Sequence, residues 1–236
     1  MSGRQPHAAG EDAVDCSFIV PVLNEGGGIG AALSELRSHF PDSEILVVDG
    51  GSTDDTVAQA LPRCDELLLT GAGRALQMNL GGRAARGDYL FFLHADTQPQ
   101  FGQAHLLQAL SGRPQWGFSR LRLSGRRRAF RVIEWFINQR SRVSGIGTGD
   151  QMLFVRADVF AATGGFDAIP LMEDVAYCTR LRRRCAPRVL AGPVVTSSRR
   201  WETGGVVRTV LQMWCLRLAY FLGASPQRLW RLYYGR

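Results

Sequence analysis

The sequence contains no lysine, so all 28 basic residues are arginines, and the 236-residue chain has a formal charge of +7 at pH 7. A GC-rich genome accounts for the missing lysine most simply. The positive charge still suits anionic small molecules or an acidic membrane surface as partners. Nucleic acid is not expected as a partner, because no recognition motif accompanies the charge.

Cysteines are few and widely spaced. The chain has five, and none of them forms a closely spaced pair or lies near a histidine in the sequence. This spacing disfavours both a zinc site and a disulfide framework. It predicts buried or free thiols in a protein of the reducing cytoplasm.

Long apolar runs are also missing. No uninterrupted stretch of about 18 uncharged apolar residues occurs, which argues against a membrane-spanning helix. The segment "MSGRQPHAAGEDAVD" has no apolar centre, so we expect a flexible tail over 1–15 and no secretory signal. The rest of the chain predicts one substantial domain over 16–204 and a helical extension over 205–236 that packs on it.

The first half of the chain alternates short apolar runs with amphipathic segments. The predicted strands are "CSFIVPVL", "EILVVDG", "DELLLT" and "DYLFFL". The predicted helices between them are "GGIGAALSELRSHF", "DDTVAQAL" and "GRALQMNLGGRAARG", the last closed by Gly87. This order predicts an α/β fold with a mostly parallel central sheet and helices on both faces. Ligands of such sheets bind beyond the carboxyl ends of the strands.

The pattern is looser after residue 110. We predict strands at "WGFSRLRLS" and "QMLFVRA", and helices at "RRRAFRVIEWFINQRSRV" and "LMEDVAYCTRLRRR". The C-terminal segment predicts two helices separated at Ser225 and Pro226. The first of them is apolar over most of its surface. Core packing, peripheral docking on the inner face of a membrane, and homodimerisation all remain open for these helices.

A glycine cluster follows the first predicted strand and raises the possibility of a dinucleotide site. The stretch "GGGIGA" fits G-x-G-x-x-A, and Asp49 follows the cluster by about 20 residues. However, Asn24 and Glu25 stand between the strand and the first glycine, and Pro21 interrupts a strand that should be central. A dinucleotide-binding oxidoreductase is therefore the weaker alternative.

Three acids follow predicted strands at the same edge of the sheet. They are Glu25, Asp49 and Asp96. Carboxylates in one cleft repel, so each is expected to have a partner such as a cation, a sugar hydroxyl or a base N–H. A divalent metal with a diphosphate would satisfy them together. Each acid alone also fits a turn or cap, and Asp49 could hold a turn while residues 52–54 compete to cap the next helix.

Four motifs in series resemble those of family two glycosyltransferases of the GT-A fold. They are "IVPVLNE", "ILVVDGGSTDDT", "GDYLFFLHADT" and "MEDV", and the resemblance covers about residues 16–203. Two segments, "RALQMNLGGRAARGDYLFFLHADT" and "GDQMLFVRADVFAATGGFDAIPLMEDV", are similar to a bacterial subgroup associated with radical-SAM/selenodomain or arsenosugar gene clusters.

The resemblance implies a metal-dependent inverting glycosyltransferase. It would move a sugar from a nucleotide-diphosphate sugar, with UDP or GDP as the nucleotide, to an acceptor hydroxyl that the sequence does not identify. The cofactor would be Mn²⁺ or Mg²⁺. The alternative is a protein that binds the sugar nucleotide without catalysing transfer.

The resemblance also assigns roles to single residues. The implied donor-binding residues are Pro21, Leu23, Glu25, Asp49, Arg74, His94, Ala95, Asp96, Arg200 and Trp201. Among them Glu25 would face the ribose, Asp49 the base edge, and Asp96 the metal. Asp174 would be the general base, with Glu173 and Asp150 as further catalytic candidates. Adjacent helix positions point about 100° apart, so one acid of the "ED" pair should face the cleft and the other should cap the helix or meet solvent.

Two departures from the family pattern affect these assignments. His94 stands where the first Asp of the D-x-D element is usual, and it could ligate the metal or lie outside the ligand set. No histidine follows His105, so Arg199 and Arg200 could instead balance the leaving diphosphate, or they could form a solvated turn. Asp150 in "GTGDQ" could orient the acceptor or simply belong to a turn.

Overall fold

The computed structural model describes residues 14–199, 202 and 205–235. The strands are β1 (Cys16–Val22), β2 (Glu44–Asp49), β3 (Glu66–Leu69), β4 (Tyr89–Phe92), β5 (Thr97–Pro99), β6 (Trp116–Leu123), β7 (Leu153–Arg156) and β8 (Arg188–Thr196). The α-helices are α1 (Ile29–His39), α2 (Thr56–Ala60), α3 (Arg74–Ala84), α4 (Gln103–Leu110), α5 (Arg128–Ser144), α6 (Ala157–Thr163), α7 (Glu173–Arg182), α8 (Val206–Phe221) and α9 (Pro226–Tyr234). Short 3-10 turns span Leu61–Arg63 and Gly149–Gln151. Most of the predicted tail over 1–15 lies outside the described residues.

One 8-stranded sheet, in the order β3-β2-β1-β4-β7-β6-β8-β5, organises the described part of the chain. The neighbours in β3-β2-β1-β4 are parallel, and so are β6 and β8, whereas β7 and β5 run antiparallel to their neighbours. The predicted mostly parallel sheet is confirmed. The carboxyl ends of β1, β2, β4, β6 and β8 consequently lie at one edge, which we call the carboxyl edge.

Helices cover both faces of the sheet, as predicted. Phe18 of β1 shares a buried cluster with Leu33 and Leu36 of α1. Its neighbour Ile19 belongs to the cluster on the other face, together with Met78 of α3. Successive strand residues point to opposite faces, so a strand buried on both sides has an uninterrupted apolar sequence.

The two C-terminal helices occur where they were predicted. Ser225 caps α9, and its hydroxyl accepts a hydrogen bond from the backbone N–H of Arg228 at 3.4 Å. Leu216 of α8 and Leu229 of α9 are buried in the same cluster as α3 and α7. Among the residues that the structure describes, none of the helices is long and apolar enough to cross a membrane.

The sequence patterns do not predict α4, α6, β5 or β8, and they extend α3 too far. Strand β8 contains Gly192 and Pro193, which are rare within strands, and Pro193 is tolerated at a register shift against β6. Helix α3 ends at Ala84 and not at Gly87. Gly87 packs against β1 instead, where a Cβ would lie 2.8 Å from the backbone nitrogen of Ser17.

Pro21 lies in a central strand without breaking the sheet. Pairing of β1 with β4 ends at Ile19 and Phe92, whereas pairing with β2 continues to Val22 and Asp49. The backbone of Ile19 faces β4, because its carbonyl accepts a hydrogen bond from the Leu93 N–H at 3.0 Å. Pro21 comes two residues later and therefore faces the same side. Pairing with β4 has already ended at this position, so no acceptor on β4 lacks a hydrogen bond because proline has no N–H.

A buried glutamine joins β1 and β2 at the carboxyl edge. The side-chain Nε2 of Gln77, on α3, donates to the carbonyls of Val22 and Val48 at 2.8 Å each. Gln77 is 5% exposed. Its amide therefore satisfies acceptors of two neighbouring strands just below the loops that leave them.

We expect Gln77→Leu to lower the free energy of unfolding by about 2 kcal/mol, because two buried carbonyls lose a donor. Urea denaturation measures this change. Gln108→Leu, at an exposed position of α4, is the matched control and should change stability by less than about 0.5 kcal/mol. Equal stability of the two variants would show that the Gln77 amide does not hold the strands together.

Candidate active site at the carboxyl edge

The loops after β1 and β2 are tied together by hydrogen bonds. Asn24 adopts a left-handed conformation with φ 56. Its N–H donates to Ser52 Oγ, and its Oδ1 accepts from the Thr53 N–H, both at 2.9 Å. The Glu25 N–H donates to Thr56 Oγ1 at 2.8 Å. These bonds hold Glu25 at a fixed place beyond the carboxyl end of β1.

The glycine cluster serves this loop contact. The Gly26 N–H donates to Asp54 Oδ2 at 3.0 Å, and a Cβ at position 26 would overlap Asp55 Oδ1. Hydrogen bonds from Thr56 and Gly26 hold the pKa of Asp54 below its usual range. A dinucleotide site uses such glycine amides for a pyrophosphate, and here a carboxylate already accepts one of them.

Asp49 is buried and holds its own turn. Its Oδ2 accepts hydrogen bonds from the N–H groups of Gly51 and Ser52 at 2.9 Å each, and Oδ1 contacts Ser52 Oγ. The first N–H of α2 has a separate partner, because Asp54 Oδ1 accepts from the Thr56 N–H at 3.0 Å. Of the three acids expected to converge, Asp49 thus directs its carboxylate into the turn.

Glu25 and Asp96 are the pair of strand-end acids that the structure brings together. Burial raises the pKa of Glu25, and the negative charge of Asp96 raises it further. Arg199 and Arg74 act in the opposite direction and lower it. Asp96 is exposed, and Thr97 Oγ1 lies 3.4 Å from its Oδ1. The edge therefore carries two neighbouring carboxylates with arginines close by.

The other predicted donor-binding residues differ in their surroundings. Pro21 and Ala95 are half-buried, whereas Leu23 is exposed at the rim of the carboxyl edge. Arg200 and Trp201 lie outside the described residues.

The two acids at the start of α7 have different environments. Glu173 is 6% exposed, and its pKa rises to about 7 because of burial and the adjacent Asp174, while Arg74 opposes the rise. Asp174 is half-buried. Its Oδ2 accepts a hydrogen bond from the Gly149 N–H at 2.8 Å, and Oδ1 accepts from the Val175 N–H at 2.7 Å.

The expectation that one of these acids would cap the helix or meet solvent while the other faced the cleft is wrong. Both line one small cavity of about 10 Å³, together with Arg74, His94 and Gly149. The reason is that the first turn of α7 is covered twice, by the start of α3 and by the 3-10 turn. The cavity is about the size that one water molecule needs.

His94 faces the 3-10 turn. Its Nδ1 lies 3.1 Å from Asp150 Oδ1, and its buried Nε2 has no hydrogen-bond partner among the described residues. A Cβ at Gly149 would overlap Nε2, so a larger residue at position 149 would displace the His94 ring. Asp150 belongs to the turn, as one of the two interpretations of the sequence has it, and it contacts His94; its role toward an acceptor stays a prediction.

Two arginines near Asp174 were not among the predicted site residues. Arg140 of α5 and Arg217 of α8 are largely buried, and burial lowers the pKa of each, to about 10 for Arg140. The negative charge of Asp174 opposes both shifts. Arginines occur throughout these helices, and only the inward position of these two distinguishes them. That position follows from how α5 and α8 pack.

Known proteins share part of this sequence. Residues 17–115 match the model of the family described as "Glycosyl transferase family 2". A "PGL/p-HBAD biosynthesis glycosyltransferase" of Mycobacterium tuberculosis is 39% identical over 88 residues, covering 34% of this chain and 34% of that protein. A protein of the same name from Mycobacterium bovis gives the same values. The chain thus spans about a third of the length of the curated relatives it matches.

Solved structures share the fold. The mannosyltransferase PcManGT from Pyrobaculum calidifontis, in complex with GDP-Man and Mn²⁺, has a TM-score of 0.57 and 21% identity over 79% of this chain and 59% of its own. S. aureus TarS 1-349 in complex with UDP has a TM-score of 0.56 and 17% identity, and the match covers 78% of this chain and 60% of TarS 1-349. GalNAc-T7 with UDP, GalNAc and Mn²⁺ has a TM-score of 0.59 and 12% identity, and the match covers 80% of this chain and 44% of GalNAc-T7. The predicted GT-A fold is confirmed.

The raised pKa of Glu173 predicts a pH-dependent stability. The unfolded chain releases this proton near the ordinary value of 4.5, whereas the folded chain holds it until about 7. Between these values the folded state binds more protons, so stability falls as the pH rises. Glu173→Gln does not titrate. Near pH 4.5 the variant should have the same unfolding free energy as the wild type. Above pH 7 the unfolding free energy of the variant should be higher by about 3 kcal/mol.

Urea denaturation at about pH 5 and pH 8 measures this difference. Glu35→Gln, at an exposed position of α1, is the matched control and should show no comparable change between the two pH values. If Glu173→Gln changes the unfolding free energy equally at both pH values, the buried carboxyl group of Glu173 does not keep its proton above pH 5.

Proposed function

We propose that the chain is a metal-dependent, inverting glycosyltransferase that moves a sugar from a UDP- or GDP-sugar to an acceptor hydroxyl. One observation carries this proposal: acids from three separate segments come together at the carboxyl edge, because Glu25 lies near Asp96 and the charge of Arg74 acts on both Glu25 and the acid pair of α7. The family match over 17–115 and the nucleotides and Mn²⁺ of the structural neighbours support it. We further propose membership of the radical-SAM- or arsenosugar-associated subgroup, on the two sequence segments that resemble it.

The nucleoside would lie over the end of β1, between the loops joined by Asn24. Glu25 would face the ribose there. Asp49 would face the base edge while it holds its turn, because a carboxylate has about four acceptor positions and its turn takes up bonds from Gly51 and Ser52 only. Together with Arg74, Arg199 would lie close to the diphosphate, where guanidinium groups match phosphate oxygens.

The donor set fits a divalent cation that arrives with the diphosphate. Within the described part of the chain, no group of three or more His, Cys, Asp or Glu side chains could hold a metal alone. Mg²⁺ and Mn²⁺ commonly need only one or two carboxylates, because substrate phosphates complete their coordination. Asp96 would supply that carboxylate, with Glu25 near it. When bound, the cation would stabilise the negative charge that develops on the leaving diphosphate.

Asp174 would act as the general base. Its Oδ2 is oriented by the Gly149 N–H, so the carboxylate has a fixed direction toward the cavity. It would accept the proton of the acceptor hydroxyl during attack on the anomeric carbon. A single displacement of this kind inverts the configuration. Glu173, which keeps its proton to about pH 7, would remain neutral beside it, and Asp150 would keep His94 against the turn.

Asp174→Asn tests the proposed base. We expect the rate of sugar transfer, measured as release of UDP or GDP from candidate donors, to fall by about 10² to 10⁴. Donor affinity should stay nearly unchanged, because the base meets the acceptor and not the nucleotide. Asp158→Asn, on α6, is the control and should keep the wild-type rate. Near wild-type turnover in Asp174→Asn would assign the role of base to Glu173 or Asp150. If neither the wild type nor the variants release UDP or GDP, the chain is a binding protein without catalysis.

Asp96→Asn tests the proposed metal ligand. The exposed side chain can be replaced without opening a core cavity, so the variant should fold with an unchanged melting temperature in the absence of ligand. We expect it to lose the Mn²⁺-dependent rise in melting temperature that UDP or GDP gives the wild type, since binding to the folded state stabilises it. Asp42→Asn, an exposed position between α1 and β2, should keep the full rise. If Asp96→Asn keeps it too, Asp96 is not the ligand.

A further inference from the structure

Most of the exposed large apolar side chains of the described residues lie on α5, α8 and α9 and not at random over the surface. Eight of them define what we call the docking face: Val132, Trp135, Phe136 and Val143 of α5, and Leu211, Trp214, Leu218 and Phe221 of α8. Trp135 is 56% exposed and Trp214 is 64% exposed. Single exposed apolar residues are normal, whereas a continuous group marks an interaction surface.

Each helix contributes one stripe to the docking face. In α8 the exposed residues recur at intervals of three and four, from Leu211 through Trp214 and Leu218 to Phe221. In α5 the interval from Val132 to Trp135 and Phe136 follows the same period. Residues at this spacing lie on one side of a helix. The opposite sides are buried, so neither stripe is needed for the core.

The inner sides of α5 and α8 meet in one buried cluster. Val210 of α8 packs against the buried cluster that includes Phe130 and Ile133 of α5, with Ile137 beside it. Helix α9 continues the surface at its far end, where Leu232 is 63% exposed. Helices that meet at a common cluster thus each present exposed apolar side chains on their outer sides.

The helices of the docking face expose arginines and no acidic side chain of their own. Arg128 and Arg142 of α5 and Arg208 of α8 are exposed, and so are the α9 residues Arg228 and Arg231. Residues 205–235 contain no acidic residue. The acid of α5, Glu134, is buried and accepts hydrogen bonds from the Leu123 N–H and Arg131.

We infer that the docking face binds the surface of an anionic lipid bilayer. Tryptophan, phenylalanine and leucine side chains suit the boundary between headgroups and acyl chains, and arginines beside them can reach the anionic headgroups. The helices would lie in the plane of the interface. This inference goes beyond the transfer of sugars and does not depend on it.

A second copy of the chain is the less suitable occupant. A two-fold interface places the same patch of each subunit against the other. The arginines around the docking face would then face arginines, without acids to pair with them, and like charges oppose such association. An anionic bilayer offers the complementary charge over the whole area.

Docking would also bring the proposed active site close to the bilayer. Helix α5 follows β6 after a short loop, and β6 ends at Leu123 on the carboxyl edge. The start of α5 and the acids of that edge therefore lie on the same end of the sheet. An acceptor dissolved in the membrane would approach from that side.

Vesicle flotation tests the inference directly. We expect the wild-type protein to float with vesicles of phosphatidylcholine and phosphatidylglycerol and not with vesicles of phosphatidylcholine alone, and added salt should weaken binding. The double variant Trp214→Glu and Phe221→Glu should bind at least about tenfold more weakly, because apolar contact is lost and negative charge is introduced. Leu61→Glu and Leu69→Glu, similarly exposed on other elements, should bind like the wild type.

A second variant separates charge from folding defects. Arg142→Glu with Arg208→Glu leaves the apolar stripes intact, and it should also bind less, by about tenfold, at low salt. Melting temperatures confirm that each variant folds. The inference is overturned if the wild type ignores phosphatidylglycerol vesicles. It is equally overturned if light scattering shows a dimer that the tryptophan variant abolishes while vesicle binding is absent.

Discussion

Carboxylates that gather at one edge of a sheet repel one another, and the rest of this site is arranged around that repulsion. Asp96 raises the pKa of Glu25, and Asp174 raises the pKa of Glu173, in each case on top of the effect of burial. Arg74 opposes both shifts. It can do so because it is the first residue of α3, which packs on β1, and it lines the same cavity as the acids of α7. One guanidinium therefore balances acids that the chain brings in from distant segments.

The loops at the proposed donor side of the edge are held by hydrogen bonds and not by apolar packing. Loops that leave parallel strands are usually mobile. Here Asn24 joins its loop to the next one through both its backbone and its side chain, and Gln77 joins the two strands just below. A ligand that binds between such loops loses little affinity to ordering them. The left-handed conformation of Asn24 is part of this arrangement.

Sequence patterns predicted the parts of the fold that depend on local periodicity. The apolar runs of β1, β2 and β4 are continuous because these strands are buried on both faces, and their order along the chain indicates a parallel sheet. Strand β5 has too few residues for a period, and the glycine and proline of β8 disguise a strand that its neighbours stabilise. Those two strands depend on contacts between distant segments, which a local pattern does not report.

In the candidate site too, local sequence patterns predict some features, while others depend on contacts between distant segments. The positions of Glu25 and Asp96 at strand ends predict that they meet, because parallel strands share an edge. The burial of Glu173 and the contact of His94 with Asp150 depend on how α3, α7 and the 3-10 turn pack together. The spacing of 100° between adjacent helix residues is correct for Glu173 and Asp174. It does not place one of them outside the cavity, because both directions from this helix end meet protein.

Helices α5 and α8 each present exposed apolar residues on one side and a largely buried arginine on the other. Their outer sides form the docking face, while Arg140 and Arg217 on their inner sides lie near Asp174. Arg140 Nε and Arg217 Nη1 are buried and make no hydrogen bond within the described residues. Two buried cations with unused donors are costly unless a negative charge stays close. The packing of α5 and α8 against the domain therefore sets how close two cations lie to the proposed base.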